Sequence, residues 1–351
     1  MNLSRLPLTP VICVLALAVL PLCWPDPYLL SVVTSCGIFI VAAISLNLLL
    51  GYTGQLSLGH VAFFGIGAYT TALLSLGFDV TLFGMDTPLV VAPKPVWLSF
   101  VAGIGAASVA GWLVGKLAFR VRGAYFVIVT ISFAQVMRMV ALNWVDLTEG
   151  PMALNNIPSL TMWLPGSGVI ELTSKAARYW LVLAAAVVAW CIVAAIVRSR
   201  VGRAMIALRE NETLARSIGI EVTRYLRIAT LVSAGIAGAA GGLYAHTVQI
   251  IDPDVFMFMF TITMVIMVIA GGKGTLAGPV VGGLIFGLLP ELLRGVLAPE
   301  LQWMLYGALM IAILVLLPRG IAPALHQLRR GKRRTAGMAL PVTVPAKGDK
   351  A

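Results

Sequence analysis

The feature that most restricts this chain is a series of apolar runs, each about long enough to cross a bilayer as a helix. A helix rises 1.5 Å per residue, so roughly 20 apolar residues span about 30 Å of hydrocarbon. Backbone polar groups find no water there, and a helix satisfies them within itself. Ten such runs can be marked, at about 8–24, 29–50, 58–78, 96–118, 123–142, 179–197, 227–247, 255–271, 276–297 and 301–317. Only 11% of residues are charged, less than half the share usual in a soluble domain, so the runs are not the core of one large globule. The sequence therefore predicts an all-α, polytopic integral membrane protein of about 10 (8–10) transmembrane helices. Eight is the count if two short glycine-rich segments are re-entrant. One membrane domain is expected over 1–328. The basic, then Pro/Ala/Lys-rich tail at 329–351 is expected to form no packed structure.

The formal net charge is +11. In a soluble protein such an excess suggests nucleic acid; here its distribution speaks of topology instead. Threading the runs from a cytoplasmic N-terminus gathers Arg5, Lys116, Arg120, Arg122, the seven arginines of 198–227, Lys273 and the basic tail on one side. Of the 25 lysines and arginines, only Lys94, Arg138, Lys175, Arg178 and Arg294 stay on the other. Positive charge resists translocation, so both termini are expected in the cytoplasm. Residues 143–178, rich in turn formers and Trp, then make a long outer connection, with a shorter one at 79–95. The cysteines (Cys13, Cys23, Cys36, Cys191) lie in apolar runs without CxxC spacing and read as small buried hydrophobes.

Glycines concentrate in "GYTGQLSLGHVAFFGIGAY", "SAGIAGAAGGLYAH" and "AGGKGTLAGPVVGGLIFGLLPELLRG". Spacings of four (Gly238 and Gly242; Gly274, Gly278 and Gly282) let helix backbones approach closely in lipid. The same interruptions can bend helices or open backbone to a pathway. Polar side chains inside spans are costly, which makes Asn47, Gln55, His60, Gln135, Arg138, His246, Gln249 and Glu291 candidates for function. Arg138 is placed to snorkel toward the outer surface. Asn47, Gly51, Gly54, Gln55, His60, Gln135, Gly272 and Gly274 are the candidate pathway or gating residues, against the plainer reading of helix packing and interhelical hydrogen bonds. No carboxylate falls near a span centre, which disfavours a proton- or sodium-coupled relay.

Catalytic signatures are lacking. Neither Gly115-Lys116 nor Gly272-Lys273 carries the upstream glycine of a phosphate-binding loop, and the three histidines have no metal-ligand spacing. Ser57 and His60, three apart, raise an intramembrane serine hydrolase. The surrounding "GQLSLGH" is not a nucleophile elbow and no acid is placed to orient the histidine. No cofactor is expected in this chain.

One stretch breaks the apolar pattern. "RSRVGRAMIALRENETLARSIGIEVTRYLR" (198–227) holds seven arginines against Glu210, Glu212 and Glu221. Its composition predicts a short cytoplasmic helix between Gly202 and Gly219, with Ala204, Leu208, Asn211, Ala215 and Ile218 on one mostly small face. Glu212 precedes Arg216 by four residues, the favourable order for a helical ion pair, and Gly219 can end the helix in the left-handed region. Without bulky Trp, Phe or Leu on that face, a protein partner suits it better than deep lipid insertion; an ordinary loop on lipid headgroups is the alternative.

This stretch resembles the cytoplasmic coupling loop of LivM-type permeases, the membrane subunits of branched-chain amino acid ABC importers (the LivH/LivM family). The resemblance extends to "NLLLGYTGQLSLGHVAFFGIGAYTTALL", "RGAYFVIVTISFAQVMRMVALNW" and "GGKGTLAGPVVGGLIFGLLPELLRG", in order, over roughly 30–320. It implies a partner permease of the LivH type, two cytoplasmic ATPases that bind ATP and magnesium in trans, and an extracytoplasmic binding protein. It also implies that Arg203, Arg209, Glu210, Asn211, Glu212 and Gly219 meet an ATPase. Branched-chain amino acids are the implied cargo; related permeases carry urea or short amides. An ATP-independent secondary transporter is a rival from another class. One departure concerns the outer segment, where the family commonly reads TGGPNG and this chain has Thr148-Glu149-Gly150-Pro151-Met152-Ala153.

Overall fold

The computed structural model describes residues 8–23, 26–80, 89–119, 121, 123–164, 168–171, 174–293, 299–317 and 320–325. The tail beyond Arg329 lies outside them. In order, the elements are α1 (Leu8–Cys23), α2 (Pro27–Asn47), α3 (Val61–Leu76), β1 (Phe78–Val80), β2 (Leu89–Val91), α4 (Val96–Ala118) and α5 (Ala124–Asn143). There follow α6 (Val145–Thr148), β3 (Thr161–Leu164), β4 (Gly168–Glu171), α7 (Lys175–Arg198), α8 (Arg200–Glu210), α9 (Glu212–Ser217) and α10 (Val222–Val248). The last are α11 (Phe258–Gly272), α12 (Gly278–Leu293) and α13 (Pro299–Leu316). The expected all-α class needs one amendment. Two antiparallel hairpins, β1 with β2 and β3 with β4, occupy the connections read as outer loops.

Five helices are long and apolar enough to span a membrane among the described residues: α2 with its extension to Tyr52, α4, α5, α7 and α10. Helices α3 and α11, with 16 and 15 residues, are shorter. Burial separates core from periphery. In the most apolar window of α10, 72% of residues are buried, against 22% in α5 and in α7. Helix α10 is thus the central strut, packed on α2, α3 and α4, while α5 and α7 present apolar surface outward.

Lipid provides no hydrophobic push between helices, so these contacts rest on close packing. A Cβ on Gly67 would strike the Gly238 carbonyl, and one on Gly241 the carbonyl of Phe64. As one residue number rises the other falls, so α3 and α10 run antiparallel with their backbones in contact. The expected small-residue packing is therefore observed for these glycines.

The run at 58–78 does not begin as a span. Helix α2 ends in a π-helical turn, Leu48–Tyr52, and residues 54–60 are non-helical before α3 starts at Val61. Irregular backbone at membrane depth must be enclosed by protein and hydrogen-bonded. The Leu58 amide donates to Thr130 Oγ1 on α5 and the Val61 amide to Thr261 Oγ1 on α11, both at 3.3 Å. The chain here is an irregular segment that leads into α3 and is held by hydroxyls from two other helices.

At the opposite end, residues 154–159 are fastened to the end of α10. Leu154 bridges Ile251, His246 Nδ1 meets the Pro158 carbonyl at 2.7 Å, and Gln249 Nε2 donates to the Ile157 carbonyl and to Ser159 Oγ. Arg138 does not simply snorkel: its guanidinium is 2.8 Å from Asp254 Oδ1. The cysteines also differ from expectation, since Cys36 is buried whereas Cys23 and Cys191 are exposed on the protein surface. A membrane protein turns apolar side chains outward, so an apolar run does not by itself indicate burial.

Two positions where the family pattern has glycine, occupied here by Glu149 and Ala153, both have positive φ (56° and 63°). Ala153, with ψ 146°, lies in a region that only glycine enters freely, at a cost of about 1–3 kcal/mol for other residues. Ala153→Gly removes that strain but frees more unfolded-chain entropy, about 0.5–1 kcal/mol. We expect a net stabilisation of about 1 kcal/mol, read as a higher thermal midpoint in detergent.

Candidate coupling junction

The arginine-rich stretch folds as two helices rather than the single one expected. Ser199 caps α8, its hydroxyl accepting from the Val201 and Gly202 amides. Asn211 then adopts an extended conformation (φ −158°, ψ 106°), closing α8 and capping α9 through Oδ1 and the Leu214 amide at 2.9 Å. Asparagine favours this role because its short side chain competes with the helix for backbone partners. The break also divides the expected small face. Ala204, Leu208 and Ala215 turn into the bundle with Met205, while Asn211 and Ile218 are exposed. Exposed Leu214 and Ile218 give α9 an outward aliphatic patch. Gly219 follows with φ +87°, as expected for a helix end. Glu212 and Arg216 pair at 3.1 Å, also as expected, and Arg203 and Glu210 stand exposed.

Arg209 behaves differently from its neighbours. Its Nη1 donates to the Gly51 carbonyl at 2.8 Å, while Nε and Nη2 hold Glu210 Oε1 at 3.1 and 2.5 Å. Gly51 belongs to the π-helical turn of α2, whose terminal carbonyls lack intrahelical donors and favour a nearby cation. Neighbouring glycines make the fit possible. A Cβ on Gly274 would collide with Arg209 Nη1, and Gly54 (φ +76°) lies against the Arg209 stem.

Just before the π-turn, the last α2 residue, Asn47, grips the α11–α12 turn with both ends of its amide. Nδ2 donates to the Thr275 carbonyl and Oδ1 accepts from the Gly274 amide, each at 2.9 Å. Asn47 is 1% exposed, so these bonds lie away from competing solvent. A Cβ on Gly51 would collide with both Asn47 Oδ1 and the Gly274 amide. Trp190 Nε1 holds the same turn from α7, donating to the Leu276 carbonyl at 3.1 Å. The result is one connected set: α8, the π-turn of α2, and the α11–α12 turn.

Arg209, assigned from sequence to coupling, thus sits with Asn47, Gly51, Gly54 and Gly274, assigned to a pathway. Gly272 (φ +125°) is close by, packed against Gly320. The remaining pathway candidates lie elsewhere. Gln135 is half-buried on α5 and Gln55 half-buried in the irregular segment before α3. His60 has no exposed surface, and its Nε2 meets Ser45 Oγ at 2.7 Å rather than Ser57. Ser45 also donates to the Ala42 carbonyl, and Ser233 Oγ donates to the Ser45 carbonyl at 2.6 Å. Histidine and Ser45 form a structural cross-link here, and the Ser57–His60 pairing considered from sequence is not made. Sequence reasoning missed Ser45, Thr130, Ser233, Thr261, Thr275 and Trp190, because hydroxyls and indoles scattered over five helices and a turn give no local signal.

Comparisons with known proteins show the family. Residues 28–314 match the family model described as branched-chain amino acid transport system, permease component. LivM, the high-affinity branched-chain amino acid transport system permease protein of Escherichia coli, is 30% identical over 329 residues, covering 88% of this chain and 74% of that protein. LivH of Salmonella typhimurium is 30% identical over 295 residues, covering 82% and 92%. BraD of Pseudomonas aeruginosa is 26% identical over 290 residues, covering 81% and 91%. No solved structure matches. With most of its length matched and relatives similar along 74% and 92% of theirs, the chain belongs to the family of branched-chain amino acid transport permeases.

Proposed function

We propose that this chain is one membrane-spanning permease subunit of an ATP-binding-cassette importer in the bacterial plasma membrane, moving leucine, isoleucine and valine. It is a multi-pass protein of 8–10 spans with both termini in the cytoplasm. A second, LivH-like permease shares the pathway, two cytoplasmic ATPases bind ATP and magnesium, and an extracytoplasmic binding protein delivers substrate. Similarity to both LivM and LivH supports the pairing of two related permeases.

The observation that carries the coupling assignment is Arg209, which ties the exposed α8–α9 segment to the π-turn of α2 beside the α11–α12 turn. In this reading the ATPases grip α9 through Leu214 and Ile218 and the charged residues Arg203, Glu210, Glu212 and Arg216. When ATP closes the ATPase pair, α8 shifts and Arg209 draws Gly51 with it. A π-turn can change hydrogen-bond register locally, and such turns recur at functional sites. ATP must favour one conformation over the other, since equal affinity for both shifts nothing.

Affinity purification of the full chain in mild detergent tests the assembly. The expected result is co-purification of two ATPase types or copies and a second permease. Leucine accumulation by the chain alone in proteoliposomes, with no ATPase present, overturns the reading in favour of a secondary transporter. Competition of leucine uptake by isoleucine and valine supports the cargo; transport of urea or short amides instead assigns the chain to that branch of the family.

A further inference from the structure

We infer that the cleft between the end of α4 and the start of α10 binds a phospholipid with an anionic headgroup. This inference is independent of the transport reading. A cavity of about 370 Å³ lies there, lined by Lys116, Phe119, Thr223 and Arg227. Two of its four lining residues are cations, and nothing in the coupling junction uses them.

The charges at the cavity are poorly compensated. Among the described residues Lys116 has no carboxylate within ion-pair distance, and its Nζ stands 5.4 Å from the centroid of the Trp112 ring. Arg227 Nε donates to the Thr223 carbonyl at 3.3 Å, and Nη2 is 4.0 Å from Glu221 Oε1, a carboxylate that is largely exposed. One distant acid therefore faces two cations. Such a cavity at a helix end favours a phosphate, which accepts hydrogen bonds and carries the opposite charge.

The surface beside the cavity distinguishes a lipid from a soluble anion. Val109, Leu113 and Leu117 on α4 recur every four residues and are 58%, 48% and 63% exposed. They form an aliphatic strip running from the level of Lys116 along the helix, toward the interior of the bilayer. Trp112, also exposed, is an amphipathic ring of the kind that sits at headgroup level. A phosphate held by Lys116 and Arg227 would place its acyl chains along this strip. The site thus has a charged head and an apolar track in the order a phospholipid requires.

The test measures binding to the full chain in neutral detergent by native mass spectrometry. The probes are dioleoyl phosphatidylglycerol, dioleoyl phosphatidylcholine and sn-glycerol 3-phosphate. Phosphatidylglycerol should bind saturably and at least ~10-fold more tightly than phosphatidylcholine. Replacing both cations (Lys116→Gln with Arg227→Gln) should weaken it ~30-fold, at about tenfold per 1.4 kcal/mol and about 1 kcal/mol per basic residue. Lys116→Arg with Arg227→Lys keeps the charge and should retain binding within ~3-fold. Equal binding of phosphatidylcholine, or unchanged phosphatidylglycerol affinity in the glutamine pair, overturns the inference. Glycerol 3-phosphate binding as tightly as phosphatidylglycerol also overturns it, by assigning the cleft to a soluble phosphate. Should the glutamine pair fail to fold, the wild-type preference between the two lipids decides.

Discussion

Arg209→Met should reduce substrate uptake roughly 10- to 100-fold while leaving membrane insertion and binding of the ATPases intact. Methionine keeps much of the apolar stem that lies beside Gly54 but cannot donate to the Gly51 carbonyl or hold Glu210. A hydrogen bond from a charged donor contributes about 1.5–3 kcal/mol. If it is made in only one conformation of the transport cycle, its loss biases the two states by roughly 10- to 100-fold. Reconstituted complexes should then hydrolyse ATP with leucine uptake reduced by that order. Arg209→Lys should not restore transport, because a single ammonium cannot reproduce a fork that reaches Gly51 and Glu210 at once. Normal uptake in the methionine variant would remove Arg209 from coupling. Loss of ATPase binding would instead make it part of the docking surface.

Asn47→Leu should be the more damaging change to the fold. Leucine is close in size but leaves the Gly274 amide and the Thr275 carbonyl without the partners that Asn47 supplies. Each buried backbone group left unpaired costs about 1–3 kcal/mol, so about 2–6 kcal/mol is at stake. The branched Cδ atoms also enter the space where Gly51 and Gly274 approach most closely. The expected readout is a lower thermal midpoint and reduced yield from detergent, with protease sensitivity appearing first near 272–278. Asn47→Gln provides the contrast: it keeps both polar functions, but the added methylene misplaces them. An unchanged midpoint in the leucine variant would show that the amide clasp contributes nothing to stability.

How much of this was legible in advance depended on the range of the interaction. The run at 96–118 became α4 over those same residues, and 227–247 became the greater part of α10, because hydropathy over 20 residues is a sum that local detail barely alters. The run at 58–78 failed at its start. Its glycines and polar residues read as an interrupted span, yet hydroxyls from Thr130 and Thr261, some 70 and 200 residues away, hold the irregular backbone there. The single helix expected over 203–219 failed at Asn211, read from sequence as one member of a helix face but in the structure extended and capping a second helix.

By itself, then, the sequence determined that the chain is a multi-pass membrane protein, which stretch is basic, and which family it resembles. These are properties of composition and local order, and they survive without knowledge of any contact. The tertiary structure alone decided that Arg209 meets Gly51, that Asn47 holds Gly274 and Thr275, and that His60 pairs with Ser45 rather than Ser57. Such pairings join residues up to 228 positions apart through bonds about 3 Å long. No local pattern encodes them, because each depends on how whole helices pack.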